Sequence, residues 1–395
     1  MANTSNTTTT YSEYEAEKLI WKIVPPILLV LGTVGNCLSI LVLTRGSIRS
    51  STTALFLTVL AFSDLVVLYS GLLRQWLIHL FDTDVRKVSP FGCKLNIWLV
   101  YCSLDFSAWI LIVVTLERVI SAWLPHRART LCTTKSAISL LISVGVFILA
   151  LNAHMLYGMV FKTSTDENNN IEYQKCVEID EDYSEFFNVT WPWIDFCAFC
   201  LIPFTVIVIG NALILFKVIN SQRKVKSRIV PTAGSGNRQQ TTSSHSSKQS
   251  SMTAMLFTLN IVFLISTSPI SVYNICYPFW TANASEHDYA QLALWWAVVN
   301  MLMYVNNSLN FILYCLSGSK FRLEVKRIFH SLRQRLITGN RQIITQSNYT
   351  RTKVDHTSPP SPGHSGNKQF SNSKHQKDVN GVETTSSGQK HNTKF

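Results

Sequence analysis

Charged residues are scarce in this chain. Asp, Glu, Lys and Arg make up 15% of its 395 residues, against roughly 25% in a soluble globular protein. They are confined to short stretches between long runs that hold almost none. That segregation argues against the two or three soluble domains that the length alone would allow. Paired catalytic carboxylates, His/Cys clusters with metal-ligand spacing and nucleophile–base motifs are all missing, so an enzyme finds no support. No internal repeat is visible, which removes the inverted-repeat plan of many transporters. No series of alternating ~10-residue segments reads as a membrane-spanning β-barrel. Residues 1–18 lack the basic start and apolar centre of a cleavable signal peptide, so the first apolar run is expected to act as the insertion signal.

What the chain does have is apolar length. Hydrophobic residues are 47% of it. They gather in seven runs, near Leu19–Leu43, Thr53–Leu77, Phe91–Ala122, Ser136–Val160, Trp191–Val218, Met252–Phe279 and Tyr289–Leu316. Each is long enough for a hydrocarbon core of ~30 Å, which takes about 20 helical residues. The expectation is an all-α membrane protein, a seven-transmembrane helix bundle over residues 19–316. A polar N-terminal segment, 1–18, precedes it. After it, Phe321, Val325, Ile328, Leu332 and Leu336 recur at helical spacing with Lys and Arg between them, which predicts a short amphipathic interfacial eighth helix over 317–337. A calmodulin-target helix shares that pattern. The polar tail 338–395, with Pro359, Pro360 and Pro362, reads as disordered and cytoplasmic.

The formal charge of +12 is not a nucleic-acid footprint, because the basic residues sit at the ends of the apolar runs rather than in one patch. Placing the N-terminus outside puts Arg45, Arg49, Arg127, Arg129, the stretch from Lys217 to Lys248 and the stretch from Lys320 to Arg335 on the inner side, as the positive-inside bias requires. The Asn-x-Ser/Thr triplets at Asn3, Asn6, Asn188 and Asn283 then all face outward, where glycosylation occurs. Those at Asn306 and Asn348 fall in the seventh run and the inner tail and are read as accidental. Of nine cysteines, only Cys93 and Cys176 fall clearly in outer segments, an oxidising compartment. A disulfide between them is the expectation, two free thiols the alternative.

Specific residues sharpen the picture. The first run contains Gly35-Asn36. The second contains Leu60-Ala61-Phe62-Ser63-Asp64-Leu65. The third begins at Cys93 and ends in Glu117-Arg118-Val119. The fifth contains Pro203, the sixth Pro269, and the seventh ends in Asn310-Phe311-Ile312-Leu313-Tyr314. Cys93 and Arg118 stand about 37 Å apart along a helix, one membrane crossing with some tilt. In this order the motifs resemble those of rhodopsin-like (class A) G protein-coupled receptors, over residues 20–337. Phrases such as Asn307-Ser308-Leu309-Asn310-Phe311 and Tyr314-Cys315-Leu316-Ser317-Gly318 resemble invertebrate neuropeptide receptors of the FMRFamide type. The chain departs from the family at several points. It has Glu117-Arg118-Val119 for Asp-Arg-Tyr, Ser266-Thr267-Ser268-Pro269 for Cys-Trp-x-Pro, Phe311 for the Pro of Asn-Pro-x-x-Tyr, Asn211 for the helix-five Tyr, and no helix-four Trp. The aromatic toggle and the Pro-weakened seventh helix are therefore in question.

The resemblance implies a receptor in the plasma membrane that passes an outer signal to a heterotrimeric G protein. Carried over, Glu117 restrains Arg118 in the inactive state, and Asn310 and Tyr314 help reposition it. Pro203 and Pro269 belong to the same activation switch. A phosphorylated Ser/Thr-rich tail would meet an arrestin-like protein, and the amphipathic segment would meet membrane lipid. The resemblance also places Asp64, Ser107, Asn306 and Asn310 at an allosteric sodium site, whose oxygens suit a hard cation. A protonated Asp64 in a hydrogen-bonded polar core is the alternative.

The ligand is sought in the loop from Phe161 to Thr190. It carries Asp166, Glu167, Glu172, Glu178, Asp180, Glu181, Asp182 and Glu185 against Lys162 and Lys175, a negative vestibule that would attract cations. Its length also suits a lid or hairpin. Three charges within the bundle, Arg74, Asp105 and Asp195, are costly in a membrane unless used. They are candidates for ligand contact, or for pairing with one another or with His154. Gln75, Tyr273, Tyr277, Trp295 and Trp296 are candidate neighbours, and interfacial anchoring of these aromatics is the alternative. Val100 stands where amine receptors carry an Asp, and no Lys occurs between Tyr289 and Leu316 for a retinal Schiff base. A cationic or amidated neuropeptide is the expectation, a small-molecule chemosensory ligand the alternative, and a seven-helix transporter the rival from another class.

Overall fold

The computed structural model describes residues 11–46, 48–165, 171–228, 240–319, 321–331, 333 and 334. Among these, six helices are long and apolar enough to cross a membrane: Ser12–Leu43, Thr52–Phe81, Pro90–Trp123, Thr134–Gly158, Glu181–Ser221 and Phe257–Thr281. They are helices one to six here. Helix five continues to Arg228, and helix six lies within a longer helix, Gln240–Thr281. Helix seven, Glu286–Ser317, has 32 residues and is long enough, but Asn300, Asn306, Asn307, Ser308 and Asn310 make it less apolar. All five are buried, so it meets lipid with its other face.

The distribution of side chains is inverted relative to a soluble protein. Asn36, Asp64, Ser107, Asn307 and Asn310 are buried, whereas Ile27, Val30, Val34, Ile142, Val146 and Phe204 are exposed. Large exposed apolar faces are stable only against another apolar phase. In a bilayer, helices satisfy all their backbone groups within the segment.

Local chemistry sets the helix ends. Ser89 accepts from the Gly92 amide at 3.0 Å, and Pro90 follows in the first turn of helix three. Proline is suited to that turn, whose amides have no partner within the helix. Helix seven opens with a reciprocal box in which Ser285 and Asp288 each bond the other's backbone amide, satisfying two orphan donors. Helix two passes through a π turn at Leu68–Leu72. Gly71 lies in that turn, and a Cβ there would stand 2.7 Å from the Tyr304 hydroxyl. Only glycine lets helix seven approach so closely.

Helix five also contains a π turn, Phe196–Leu201, directly before Pro203. In a π turn the Ala198 carbonyl would accept from the residue five on, which here is Pro203 and has no N–H. The freed carbonyl accepts instead from Trp109 Nε1 at 3.0 Å, joining helix five to helix three.

Strands β1 (Met159–Thr165) and β2 (Ile171–Glu178) form an antiparallel hairpin between helices four and five, in the loop whose length suited one. One feature departs from the expected plan. Helix one begins at Ser12, seven residues before the apolar run, because a helix continues past the hydrocarbon wherever its polar residues find partners. Glu17 lies 3.2 Å from His79 Nε2 and Glu13 lies 3.1 Å from His287 Nε2. After helix seven, residues 321–331 are helical. Phe321 packs its ring against Phe311 and Tyr314 at 5.7 and 5.4 Å. Leu336, the tail and the N-terminal triplets at Asn3 and Asn6 lie outside the described residues.

Candidate functional site

Functional side chains gather at three levels of the bundle. At the hairpin end, Cys93 and Cys176 form a disulfide that fastens β2 to the start of helix three. The pairing expected from their placement is present. Beneath it a cavity of about 750 Å³ is lined by Tyr14, Tyr101, Phe187, Trp191, Asp195, Tyr273, Tyr277 and Trp296, among others. A deeper cavity of about 220 Å³ shares Tyr101, Phe187, Asp195, Asn274 and Trp296 with it and is further lined by Arg74, Gln75, Arg86, Asn300 and Tyr304. The two adjoin at those shared residues. Together they fall in the size range of ligand sites, which are mostly apolar with a few placed polar groups.

Most expected ligand residues therefore reach the cavities: Arg74, Gln75, Asp195, Tyr273, Tyr277 and Trp296. Two do not. Asp105 is 1% exposed and lines neither cavity. Asn152 Nδ2 donates to its Oδ2 at 2.8 Å, so it joins helix three to helix four. Trp295 is exposed on the outer face of helix seven, because it lies about 100° around the helix from Trp296. His154 is taken up by Tyr183, whose hydroxyl lies 2.9 Å from Nδ1, rather than by an Asp.

Arg74 is engaged before any ligand arrives. Its Nε and terminal nitrogen donate to the two Asp84 oxygens at 2.8 and 2.7 Å. Asp84 is partly buried, which raises its pKa, but the Arg74 hydrogen bond and the Arg86 backbone amide outweigh this and hold the carboxyl below its usual range. Arg86, in the connection between helices two and three, is a cavity residue that the sequence pattern did not single out. That connection folds inward as a single tight turn, Val85–Lys87, and Arg86 Nε donates to Asn96 Oδ1 at 2.7 Å. Burial pushes the Arg86 guanidinium down to about 10, with Arg74 adding to the shift and Asp84 opposing it. Among the candidate glycosylation sites within the described residues, Asn188 and Asn283 are both exposed.

At mid-bundle, Asp64 is fully buried. Asn307 Nδ2 donates to its Oδ1 at 2.7 Å and Asn310 Nδ2 to its Oδ2 at 2.6 Å, and Ser107 Oγ lies 3.2 Å from Oδ1. The neighbour from helix seven is thus Asn307, not Asn306. Asn306 and Asn307 stand four and three residues before Asn310, so spacing places both near its face, and the hydrogen bond to Asp64 singles out Asn307. Asn36 Nδ2 donates to the Asn307 carbonyl at 2.9 Å. Asn36 Oδ1 and Asn307 Oδ1 are buried without a hydrogen-bond partner among the described residues. One carboxylate among hydroxyl and amide oxygens fits a small hard cation. No group of three His, Cys, Asp or Glu side chains with metal-site geometry occurs among the described residues.

At the opposite end from the hairpin, Glu117 and Arg118 do not form a direct ion pair among the described contacts. Thr53 bridges them. Its hydroxyl donates to Glu117 Oε2 at 2.8 Å and accepts from the Arg118 guanidinium, while Thr52 donates to the other Glu117 oxygen. Neighbouring residues on helix three point about 100° apart, so helix two supplies the link. Tyr314 is fully buried against Phe321, its hydroxyl without a partner among the described residues. Pro203 follows the π turn of helix five, and Pro269 lies within helix six. Phe199 and Phe263 join the two helices edge to face at 6.2 Å.

Comparison with known proteins bears on this arrangement. The profile of the 7 transmembrane receptor (rhodopsin family) matches residues 35–314. The chain is 26% identical over 308 residues to the FMRFamide receptor of Drosophila melanogaster, covering 76% of this chain and 51% of that one. It is 31% identical over 153 residues to Lysophosphatidic acid receptor 6 of Gallus gallus, covering 38% and 46%. To Galanin receptor type 2 of Rattus norvegicus it is 23% identical over 341 residues, covering 84% and 82%. The chain therefore spans about half the length of the first two and most of the third.

Proposed function

The chain belongs to the rhodopsin family of 7 transmembrane receptors, and from that premise we propose that it is a plasma-membrane G protein-coupled receptor for a peptide with a basic side chain. The observation that carries this reading is the pair of adjoining cavities at the hairpin end. Asp195 stands on their shared wall, and Tyr101, Tyr273, Tyr277 and Trp296 surround the space. A cavity open toward one end and lined by aromatic rings suits an inserted peptide terminus, and Asp195 offers its basic side chain a partner. Glu178 at the end of β2, Asp180 after it, and Glu181, Asp182 and Glu185 in the first turns of helix five would gather cationic ligands at this mouth. The names of two relatives, the FMRFamide and galanin receptors, refer to peptides.

In this reading the hairpin end faces outward and carries glycans at Asn188 and Asn283. The Arg118 end faces the G protein. Ligand binding shifts a two-state bundle toward the form in which Arg118 leaves Thr53. Sodium at Asp64, Ser107, Asn307 and Asn310 favours the inactive form. Residues 321–331 rest on the inner leaflet, and the phosphorylated tail recruits an arrestin-like protein. The test is nucleotide exchange on a panel of G proteins, in cells expressing the chain, against a library of neuropeptides with wild type beside Arg118→Ala. A peptide response abolished by Arg118→Ala at normal surface expression is the expected result. Silence to every peptide overturns the peptide reading and moves the ligand to the small-molecule class.

A further inference from the structure

The inner cavity holds a charge that the peptide reading leaves unused. Two guanidiniums, Arg74 and Arg86, line it. One carboxylate, Asp84, faces both; its oxygens are hydrogen-bonded to the Arg74 side chain and the backbone amide of Arg86, not to the Arg86 guanidinium. The Arg86 side chain donates through Nε to the neutral Asn96, and among the described residues no carboxylate lies within ion-pair range of it. Asn96 is itself fixed, its Nδ2 donating to the Ser70 carbonyl at 2.9 Å. Arg86 is therefore aimed by a rigid partner while its terminal nitrogens remain available. Two largely buried guanidiniums against one carboxylate leave a positive charge in excess, which is costly, and a planar fork matches a carboxylate better than any other common group. The acid that shares the cavity, Asp195, stands on helix five.

We propose that Arg86 is an acid-recognition subsite, which binds a carboxylate at the deep end of the ligand while Asp195 meets a base on the same ligand. The subsite rests on the receptor reading above and refines its ligand class: the peptide ends in a free carboxylate, or carries an acidic side chain beside its terminus, rather than presenting only a neutral carboxamide. A cavity of about 220 Å³ admits one such terminal residue, and Tyr101, Phe187 and Trp296 make an aromatic one the best fit.

Two measurements test this separately from the peptide reading. In cells, the peptide library is supplied as matched free-acid and carboxamide pairs and read by nucleotide exchange on wild type, Arg86→Gln and Arg86→Lys, with surface expression measured for each. The free acid of an active pair should be at least tenfold more potent on wild type. Arg86→Gln should abolish that preference and Arg86→Lys, which keeps the charge but not the fork, should retain part of it. A carboxamide of equal or greater potency, unaffected by Arg86→Gln, overturns the subsite while leaving the peptide reading standing. In the second measurement, saturation-transfer NMR on the purified full chain uses N-acetylphenylalanine and N-acetylphenylalaninamide as probes. Wild type should show stronger transfer to the acid, and Arg86→Gln should equalise the two. If no peptide is active but the acid preference is present, the peptide reading fails and the subsite stands. If wild type does not prefer the acid, the subsite fails whatever the library shows.

Discussion

Arg74 and Asp84 meet fork to fork, with two parallel hydrogen bonds of 2.8 and 2.7 Å between side chains only 13% and 12% exposed. The pair fastens the turn between helices two and three to the wall of the inner cavity. The Asp84 carboxyl is depressed in the folded protein, so its contribution is fully present above the ordinary carboxylate value and is lost as pH falls through the lower folded value. Melting of the purified protein should therefore be flat near neutrality and fall on acidification below about pH 4. Asp84→Asn should lower the melting temperature at pH 7 by several degrees, because it leaves Arg74 largely buried and unpaired. The double variant with Arg74→Gln should recover part of that loss. If Asp84→Asn melts like wild type at pH 7, the pair contributes nothing.

Thr53 holds Glu117 and Arg118 at once, where a direct ion pair was expected, and in the proposed switch its hydroxyl is the restraint. Thr53→Val keeps the shape and removes the hydroxyl. A hydrogen bond to a charged group is worth roughly 1.5–3 kcal/mol, so losing even one of the two in the restrained state shifts a two-state equilibrium by about tenfold or more. Ligand-free nucleotide exchange should rise several-fold above wild type at equal expression. Thr52→Val, which touches Glu117 but not Arg118, should raise it less. Basal exchange unchanged in Thr53→Val would remove Thr53 from the switch.

Apolar run length was the most legible feature, because a bilayer imposes one length and one composition on every crossing. Six of the seven runs lie wholly in helices and the fourth ends two residues into β1, while helix one starts early where Glu13 and Glu17 meet His287 and His79. The disulfide was legible because a compartment, rather than a geometry, selects Cys93 and Cys176. What escaped was direction. Asp105 and Trp295 lie on the expected helices but face away from the cavities, and Asn307 supplants Asn306. In each case the error is a rotation of one residue step about the helix axis, which hydrophobicity cannot fix on a helix with polar and apolar neighbours on both sides. Arg86 was illegible for another reason. A short connection gives no periodic signal, and only the bond to Asn96 shows that it folds inward.

Asn307 and Asn306 make a sharp comparison for sodium. Asn307 Nδ2 lies 2.7 Å from Asp64 Oδ1, and Asn307 Oδ1 is buried without a partner among the described residues, so a rotated amide offers an oxygen to a cation beside the carboxylate. Replacing sodium with choline in the buffer should raise agonist affinity severalfold in wild type and in Asn306→Ala, and should have little effect in Asn307→Ala. Equal sensitivity in wild type and Asn307→Ala would argue for a hydrogen-bonded polar core without a bound ion.

Asp195 and Asp105 are both charges that a membrane tolerates only with partners, yet only Asp195 borders the cavities. Asp105 is fixed by Asn152 across helices three and four. Removing the charge at Asp195 should therefore act on the ligand, and removing it at Asp105 on the bundle. For any active peptide with a basic side chain, Asp195→Asn should raise the half-maximal concentration at least tenfold, because a desolvated ion pair loses one partner. The same substitution should have little effect on the response to a matched peptide whose base is replaced by a neutral residue. Asp105→Asn should change potency by less than threefold and should move the melting temperature instead. A reversed outcome, with potency following Asp105 and stability following Asp195, would place the ligand's base between helices three and four and move the binding site out of the two cavities.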